Sequence, residues 1–310
     1  MWEEATKITL LGMDVYAFGF FCALGAALAL LVLSMQMKKE RMEKGAAALT
    51  GCLAMLFSFV VSRLFYALLD RSLGGMMPVK GALMITAGGY SMVGALLGGV
   101  LGAALSGKIL KGSALKMADM IAPALLLFVA CERLGEGYVP DFGISRPLLG
   151  DALKGSFLAV EGEYDWYLAT YLLESFAALV IALILLRDLG GKKRAGDTLL
   201  LGLILYGAAQ SVLESLRYDR HLSFSFVGSQ HIAAMAFLGV AVIILAARNW
   251  KNRRGLALAG IISIPLVVGL GITLEFMIDR TEINRYVLYL AYVVLVSVPA
   301  YLGIRLRKEA

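Results

Sequence analysis

The chain has 310 residues, of which 60% are Ala, Val, Ile, Leu, Met, Phe, Trp, Tyr or Cys and only 17% are charged, with a net charge of +6 and a mean hydropathy of +0.79. A soluble domain is about 45–50% apolar with about 25% charged residues. This balance excludes a secreted, nucleic-acid-binding or disordered protein and predicts an all-α, polytopic integral membrane protein.

A helix needs about 20 mostly apolar residues to cross the roughly 30 Å hydrocarbon core. Nine runs meet that need, near Val15–Met37, Ala46–Leu69, Leu83–Leu105, Met117–Cys131, Tyr167–Leu186, Leu199–Leu216, Ile232–Ala247, Gly255–Phe276 and Tyr286–Ile304. The fourth and seventh are short and fit tilted helices or helices buried among neighbours. The start, Met1-Trp2-Glu3-Glu4, is acidic, and no small-residue cleavage site follows the first run. The first span is therefore expected to stay in place.

Charge in the loops predicts orientation. Lys38, Lys39, Arg41 and Lys44 follow the first span, and Lys108, Lys111 and Lys116 follow the third. Arg187, Lys192, Lys193 and Arg194 follow the fifth; Arg248, Lys251, Arg253 and Arg254 follow the seventh; Arg305, Arg307 and Lys308 close the chain. Eighteen of the 29 basic residues thus fall on one side, with only Glu40, Glu43, Asp119, Asp188, Asp197 and Glu309 among the acidic ones. Positive loops stay in the cytoplasm, which places the N-terminus outside and the C-terminus inside. The longest outer loop, residues 132–166, holds Pro140, Pro147 and an acidic stretch from Glu161 to Asp165. Loops of that length are usually functional. No internal repeat is visible, which argues against an inverted-repeat transporter.

Charge within a span costs about 2.5–3.5 kcal/mol on insertion scales, so each case invites a functional reading. Arg63, in the second span near Asp70, reads either as a side chain reaching for the outer surface or as a ligand group. Glu174 reads as an interfacial carboxylate or a site residue. Glu214 and Arg217 read as an i, i+3 ion pair at the rim or as part of a site. Asp119 reads as a helix cap or first-turn charge. Arg133, between Glu132 and Glu136, reads as a salt bridge at a helix end or as a functional cation. Together Arg63, Arg133, Glu136, Glu174, Glu214 and Arg217 bring mixed charge from four helices to one outer depth. That pattern suits a lipid head group, with arginine as the bidentate partner of phosphate. Gly94, Gly98 and Gly102 in the third span repeat every four residues, as a helix-packing face does. The preceding Gly88-Gly89 suits close backbone approach to a ligand or a re-entrant entry into the bilayer. His221 and His231 read as surface histidines, either of them available as a base. Glu275, Asp279, Arg280 and Glu282 read as a solvated loop. Cys22, Cys52 and Cys131 form neither a disulfide framework nor a CxxC motif.

Several of these residues carry a resemblance. Gly88-Gly89-Tyr90-Ser91 with Gly94, Ala118-Asp119-Met120-Ile121-Ala122-Pro123, and Arg133-Leu134-Gly135 resemble the signature stretch of the prolipoprotein diacylglyceryl transferases. Ser62-Arg63-Leu64-Phe65-Tyr66 is similar to that family's arginine–tyrosine end of its second helix. Tyr206-Gly207 with Glu214 and Arg217 is similar to its late block, and Gln230 falls where a glutamine opens its last helix. The resemblance covers about residues 10–248, seven of the nine spans. It implies a transferase core over residues 1–248 with an outer head segment near 132–166, and a separate two-helix hairpin over residues 249–310. It also implies a bacterial cytoplasmic membrane setting and no metal or organic cofactor.

The same resemblance implies transfer of diacylglyceryl from phosphatidylglycerol, or a similar anionic phospholipid, to the cysteine thiol of a lipobox preprolipoprotein. Arg133, Glu136 and Gln210 stand at its catalytic positions. Tyr16, Arg63, Tyr66, Gly88, Gly89, Ser91, Gly94, Glu174, Tyr206, Glu214 and Arg217 would line the substrate site. Three positions depart from the family pattern: Val93 replaces a histidine, Glu136 an asparagine and Gln210 an arginine. Glu132 or Glu136 would then serve as base, and Arg217 or Arg63 would hold phosphate. Three readings stay open: a divergent transferase, a non-catalytic phospholipid-binding or accessory protein on the same fold, and a small-solute transporter.

Overall fold

The apolar runs fold as helices in the computed structural model, which describes residues 6–10, 12–72, 89–139, 143–162, 164–191, 194–217, 223–224 and 227–308. Among the described residues there are nine helices: α1 (Ala17–Lys39), α2 (Ala46–Ser72), α3 (Met92–Ile109), α4 (Ala114–Glu136), α5 (Thr170–Leu189), α6 (Asp197–Leu216), α7 (Ser229–Asn249), α8 (Arg254–Arg280) and α9 (Arg285–Lys308). All but α5 form a set of eight spans long and apolar enough to cross a membrane. α5 has 20 residues and carries Glu174, Arg187 and Asp188.

Side-chain caps and charges set the helix ends. Ser91 accepts the Gly94 N–H (3.4 Å) at the start of α3, and Ser113 accepts the Lys116 N–H (3.3 Å) at the start of α4. Lys38 and Lys39, Lys108, Arg187 and Arg248 close their helices, where a cation is favoured by the helix dipole. The expected shortness of the fourth and seventh spans is corrected: α4 has 23 residues and α7 has 21. α4 starts earlier because Ser113 caps it, and it runs through Arg133 to Glu136 because those charges are paired. Asp119 is neither a cap nor a first-turn charge. It lies buried in the second turn of α4 and accepts the Gly196 N–H (2.7 Å).

The chain divides into two compact units. One holds α1, most of α2, α3, α4, α5 and two small sheets. Antiparallel β1 (Lys7–Leu10) and β2 (Met13–Tyr16) form a hairpin ahead of α1. In the outer segment β3 (Ile144–Pro147), β4 (Ala159–Glu161) and β5 (Trp166–Ala169) form an antiparallel sheet with β5 central. These strands occupy residues the hydropathy pattern left as loop or as the head of the fifth span. A core of Leu33, Met37, Ala54, Ala103, Met117, Met120 and Ile121 joins α1 to α4. The glycine spacing in α3 is a packing seam against α2. A Cβ on Gly94 would lie 2.7 Å from Ser62 Cα, and one on Gly98 or Gly102 would strike the Phe57 or Leu53 carbonyl. Polar side chains stitch the same seam. Ser58 Oγ donates to the Ala95 carbonyl (2.8 Å), and Thr50 and Ser106 share a hydrogen bond (2.9 Å).

The other unit contains α6 to α9 and the two-residue strands β6 (Ser223–Phe224) and β7 (Val227–Gly228). Gly207 lets α6 approach α7 at Ala234 and Leu238. Leu200, Ile204, Leu238, Val242, Leu245 and Leu306 share one core. Near the basic ends, Asp197 takes an ion pair from Arg248 (2.8 Å), its carbonyl accepts from Arg307 Nε (2.9 Å), and Asn249 Nδ2 donates to the Leu306 carbonyl (3.0 Å). Near the opposite end of these helices two expectations are corrected. His231 is buried rather than superficial: its Nε2 shares a hydrogen bond with the Tyr292 hydroxyl, and its Nδ1 lies 3.6 Å from Glu275 Oε1. Glu275 is 1% exposed inside α8 rather than in a solvated loop. Buried ionisable groups in an apolar bundle need partners; His231 has the Tyr292 hydroxyl as its hydrogen-bond partner, and Glu275 lies within ion-pair distance of its other ring nitrogen. His221 lies outside the described residues.

Candidate functional site

Four of the charges singled out in the sequence meet in one buried cluster. α4 supplies Arg133 and Glu136 one turn apart on the same face, as the i, i+3 spacing dictates. Glu174 comes from the second turn of α5, and Arg217 directly follows α6. Arg133 Nη1 contacts Glu136 Oε1 (2.5 Å), and Arg133 Nε contacts Glu174 Oε2 (2.8 Å). Arg217 Nη1 contacts both Glu136 Oε2 and Glu174 Oε2 (3.0 Å each). Glu132 lies farther off, 3.6 Å from Arg133 Nε. The four paired side chains are almost wholly buried, Arg133 at 2% exposed. Arg133 stands in the last turn of α4 and pairs with Glu136 there, as a salt bridge at a helix end does, and its pairing extends to Glu174 of α5; Arg217 also pairs with Glu136, 81 residues away, and with Glu174.

The outer sheet frames this cluster. Ser145 on β3 bridges to Arg217 through the backbone, and its Oγ accepts the Leu168 N–H of β5 (2.8 Å). The Gly143 carbonyl accepts the Tyr171 N–H (2.9 Å). Gly143 has φ +65, and a Cβ there would lie 3.2 Å from Glu136 Oε2 and 2.6 Å from Tyr171 Cβ. Glycine is required at this position on both counts.

A second group of expected residues gathers where α3 begins. Arg63 is buried and donates from Nη1 to the Gly89 carbonyl (2.6 Å), with its guanidinium 5.5 Å from the centre of the Tyr90 ring. It does not reach for the surface. Gly89 has φ +77, and a side chain there would strike the Tyr66 ring, so tyrosine and glycine pack face to backbone. Ser62 and Ser91 tie α2 to this entry: Ser62 Oγ donates to the Ser91 carbonyl (2.7 Å), and the Ser91 N–H donates to the Ser62 carbonyl (3.2 Å). Gly94 is part of the α2–α3 seam. Gly88 lies outside the described residues.

The remaining expected residues stand elsewhere. Tyr16, at the end of β2, is 40% exposed with Lys7 Nζ 5.2 Å from its ring centre. Tyr206, Gln210 and Glu214 lie on α6 in the second unit, and all three are buried. Gln210 Nε2 has no hydrogen-bond partner among the described residues. Val93, where the resemblance has a histidine, is a buried side chain of α3. Sequence reasoning did not single out Ser145, Gly143 or Tyr171, whose roles depend on contacts across the sheet.

Chemically, the cluster places two fork-shaped cations beside three carboxylates in a water-poor setting. Guanidinium pairs recognise phosphate bidentately, and a buried carboxylate beside a substrate can take a proton.

The family description "Prolipoprotein diacylglyceryl transferase" matches residues 6–250. The chain is 26% identical over 255 residues to the phosphatidylglycerol–prolipoprotein diacylglyceryl transferase of Bacillus velezensis, covering 77% of this chain and 90% of that protein. It is 25% identical over 247 residues to the protein of the same name from Clostridium novyi, covering 78% and 95%. The Oceanobacillus iheyensis protein of that name is 23% identical over 258 residues, covering 76% and 85%.

Proposed function

The chain belongs to the prolipoprotein diacylglyceryl transferase family, a family of membrane transferases, and from that premise we propose that it moves a diacylglyceryl group from a phospholipid to a protein thiol. The donor is phosphatidylglycerol or a similar glycerophospholipid, and the acceptor is the lipobox cysteine of a preprolipoprotein, as in the names of the relatives. The observation that supports this reading most is the Arg133–Glu136–Glu174–Arg217 cluster, which sets two guanidinium groups around one set of carboxylates.

In the reaction the thiol sulfur attacks the glycerol carbon that bears the phosphate ester. The S–C bond forms, the C–O bond breaks, and glycerol phosphate leaves with the bonding pair. A free thiol has a pKa near 8.5, so a base must take its proton. Glu132 or Glu136 serves as that base in this reading. Arg133 and Arg217 hold the departing phosphate, whose growing charge they stabilise in a water-poor site. Gln210 stands at the third catalytic position that the family resemblance implies, and its buried Nε2 has no hydrogen-bond partner among the described residues. Tyr16, Arg63, Tyr66, Gly88, Gly89, Ser91, Gly94, Tyr206 and Glu214 complete the substrate site in this reading.

The transferase core spans residues 1–248 with the outer segment 132–166, and residues 249–310 add a two-helix hairpin. With α5 counted as a ninth span beside the eight apolar ones, the basic loops put the N-terminus outside and the C-terminus in the cytoplasm of a bacterial inner membrane. A second reading, phospholipid binding without chemistry, is favoured by Val93, a side chain that cannot exchange a proton.

The deciding experiment incubates the purified full chain with vesicles of phosphatidylglycerol and phosphatidylethanolamine and a lipobox peptide, and follows the peptide mass. A diacylglyceryl adduct is expected. Lipid binding without adduct, beside an active relative under the same conditions, supports the second reading instead.

A further inference from the structure

The outer sheet is closed along one edge and open along the other. β3 is covered by the backbone bridge between Ser145 and Arg217, so that edge ends at the ion cluster. β4 is the opposite edge. Hydrogen bonds fix which way its main chain points. The Ala169 N–H donates to the Leu158 carbonyl (2.8 Å), and the Gly162 N–H donates to the Asp165 carbonyl (2.9 Å). Main-chain groups alternate in direction along an antiparallel strand. Leu158, Val160 and Gly162 therefore face β5, while Ala159 and Glu161 face away from it. On the far side of β5 the Leu148 N–H donates to the Trp166 carbonyl (2.8 Å), as the same alternation requires. The Ala159 N–H is taken by the Ser156 carbonyl (3.1 Å). The Ala159 carbonyl and both main-chain groups of Glu161 have no hydrogen-bond partner among the described residues. Set two residues apart, they are the pattern to which an extended chain adds as a further strand.

The surroundings of this edge select its occupant. Exposed aromatic side chains stand at both ends of β4: Phe157 is 82% exposed and Tyr164 is 87% exposed. Aromatic side chains are enriched where proteins meet. The acidic stretch from Glu161 to Asp165 disfavours an anionic bilayer surface, and it disfavours a second copy of the same edge. An extended polypeptide meets neither obstacle. A thiol can reach a lipid site only on a segment that is not packed in a fold of its own, and such a segment has main-chain groups free to pair. A strand added to β4 lies four strand spacings from Arg217, about 19 Å. Its paired residues would then stand about six or more positions from the reacting cysteine.

We infer that the open edge of β4 docks the acceptor polypeptide by strand addition, with Ala159 and Glu161 pairing main chain to main chain with an extended segment flanking the lipobox cysteine. The inference rests on the reading of the chain as a transferase with a preprolipoprotein acceptor.

The test is binding of a labelled lipobox peptide, extended by about ten residues on each side of the cysteine to give that reach, to the purified full chain in detergent. Fluorescence anisotropy gives the affinity, and single backbone N-methyl groups are placed at each peptide position in turn. Strand addition predicts two sensitive positions separated by one insensitive residue. Each sensitive position should weaken binding by about three- to tenfold, the weight of one hydrogen bond, and the residue between them by less than about twofold. This scan uses the wild-type protein, so no variant need fold. Glu161→Pro removes the outward N–H and leaves the bonds to β5 in place, and it should weaken the unmodified peptide by about threefold or more. A flat N-methyl profile would overturn the inference, and so would an unchanged affinity in Glu161→Pro that melts with the wild type. Phe157→Trp fluorescence quenched by brominated phospholipid in vesicles, beside a flat profile, would make the strand a bilayer anchor instead. The transferase reading fails separately, if the peptide binds with the alternating profile yet gains no diacylglyceryl adduct.

Discussion

Arg133→Ala is expected to abolish diacylglyceryl transfer and to lower stability by about 3–5 kcal/mol, the usual cost of removing one partner from a buried ion pair. The size follows from what is left behind. Arg133 contacts Glu136 at 2.5 Å and Glu174 at 2.8 Å, and all three are buried. Without the guanidinium, two carboxylates share the single cation of Arg217, and one of them is short of a charge partner in an apolar surround. Arg133→Lys keeps the charge but not the planar fork, so it should retain more stability than activity. A compensated variant separates the two roles. Arg133→Met with Glu136→Leu removes a cation and an anion together and leaves the Arg217–Glu174 contact (3.0 Å) in place. Replacing a buried pair by apolar side chains is often neutral or stabilising. This double variant should melt near the wild type and still fail to transfer. Thermal unfolding in detergent and the peptide-mass assay check both halves. Transfer by the double variant would show that Arg133 only holds the fold.

Gly98→Ala is the second large effect. A Cβ at Gly98 would fall on the Phe57 carbonyl, a backbone atom inside α2 that no rotamer change can move, with Ser58 Cα a further 2.8 Å neighbour. α3 must then shift away from α2, straining the Ser58–Ala95 and Thr50–Ser106 hydrogen bonds on the same seam. Overpacking of this kind costs about 1–3 kcal/mol, and more where backbone must move. Gly269→Ala is the matched control, because a Cβ at that helical glycine meets nothing within 4 Å. It should be neutral or stabilising by up to about 1 kcal/mol. Melting temperatures of the two alanine variants in one detergent test the contrast; equal values would mean that α2 and α3 do not meet at Gly98.

The helices were legible in the sequence because membrane burial demands long apolar runs and little else. α1 was expected near Val15–Met37 and is Ala17–Lys39, and the four-residue glycine repeat of α3 pointed to a packing face that the α2 contacts bear out. The misplaced ends have one cause. A hydropathy reading stops at charge, so the fourth span was closed at Cys131 even though Arg133 and Glu136 continue the same helix. Their charges are neutralised by Glu174 and Arg217, and a partner 81 residues away leaves no local trace. The same blindness made His231 and Glu275 look exposed, although each is buried against the other. Strands of two to four residues such as β3 and β4 are too short to show a period of two. The candidate site was legible as a list of costly charges, because arginine and glutamate are expensive in a span. How they pair was not, since pairing depends on where α4, α5 and Arg217 come together.

A structure of the full chain in lipid nanodiscs with a bound phospholipid tests most directly the claim that this cluster holds the donor head group. The phosphate should lie within hydrogen-bond distance of both Arg133 and Arg217, with Glu136 turned off one or both guanidinium groups. A phospholipid whose phosphate sits elsewhere, over a cluster that keeps all four of its ion pairs, would contradict it.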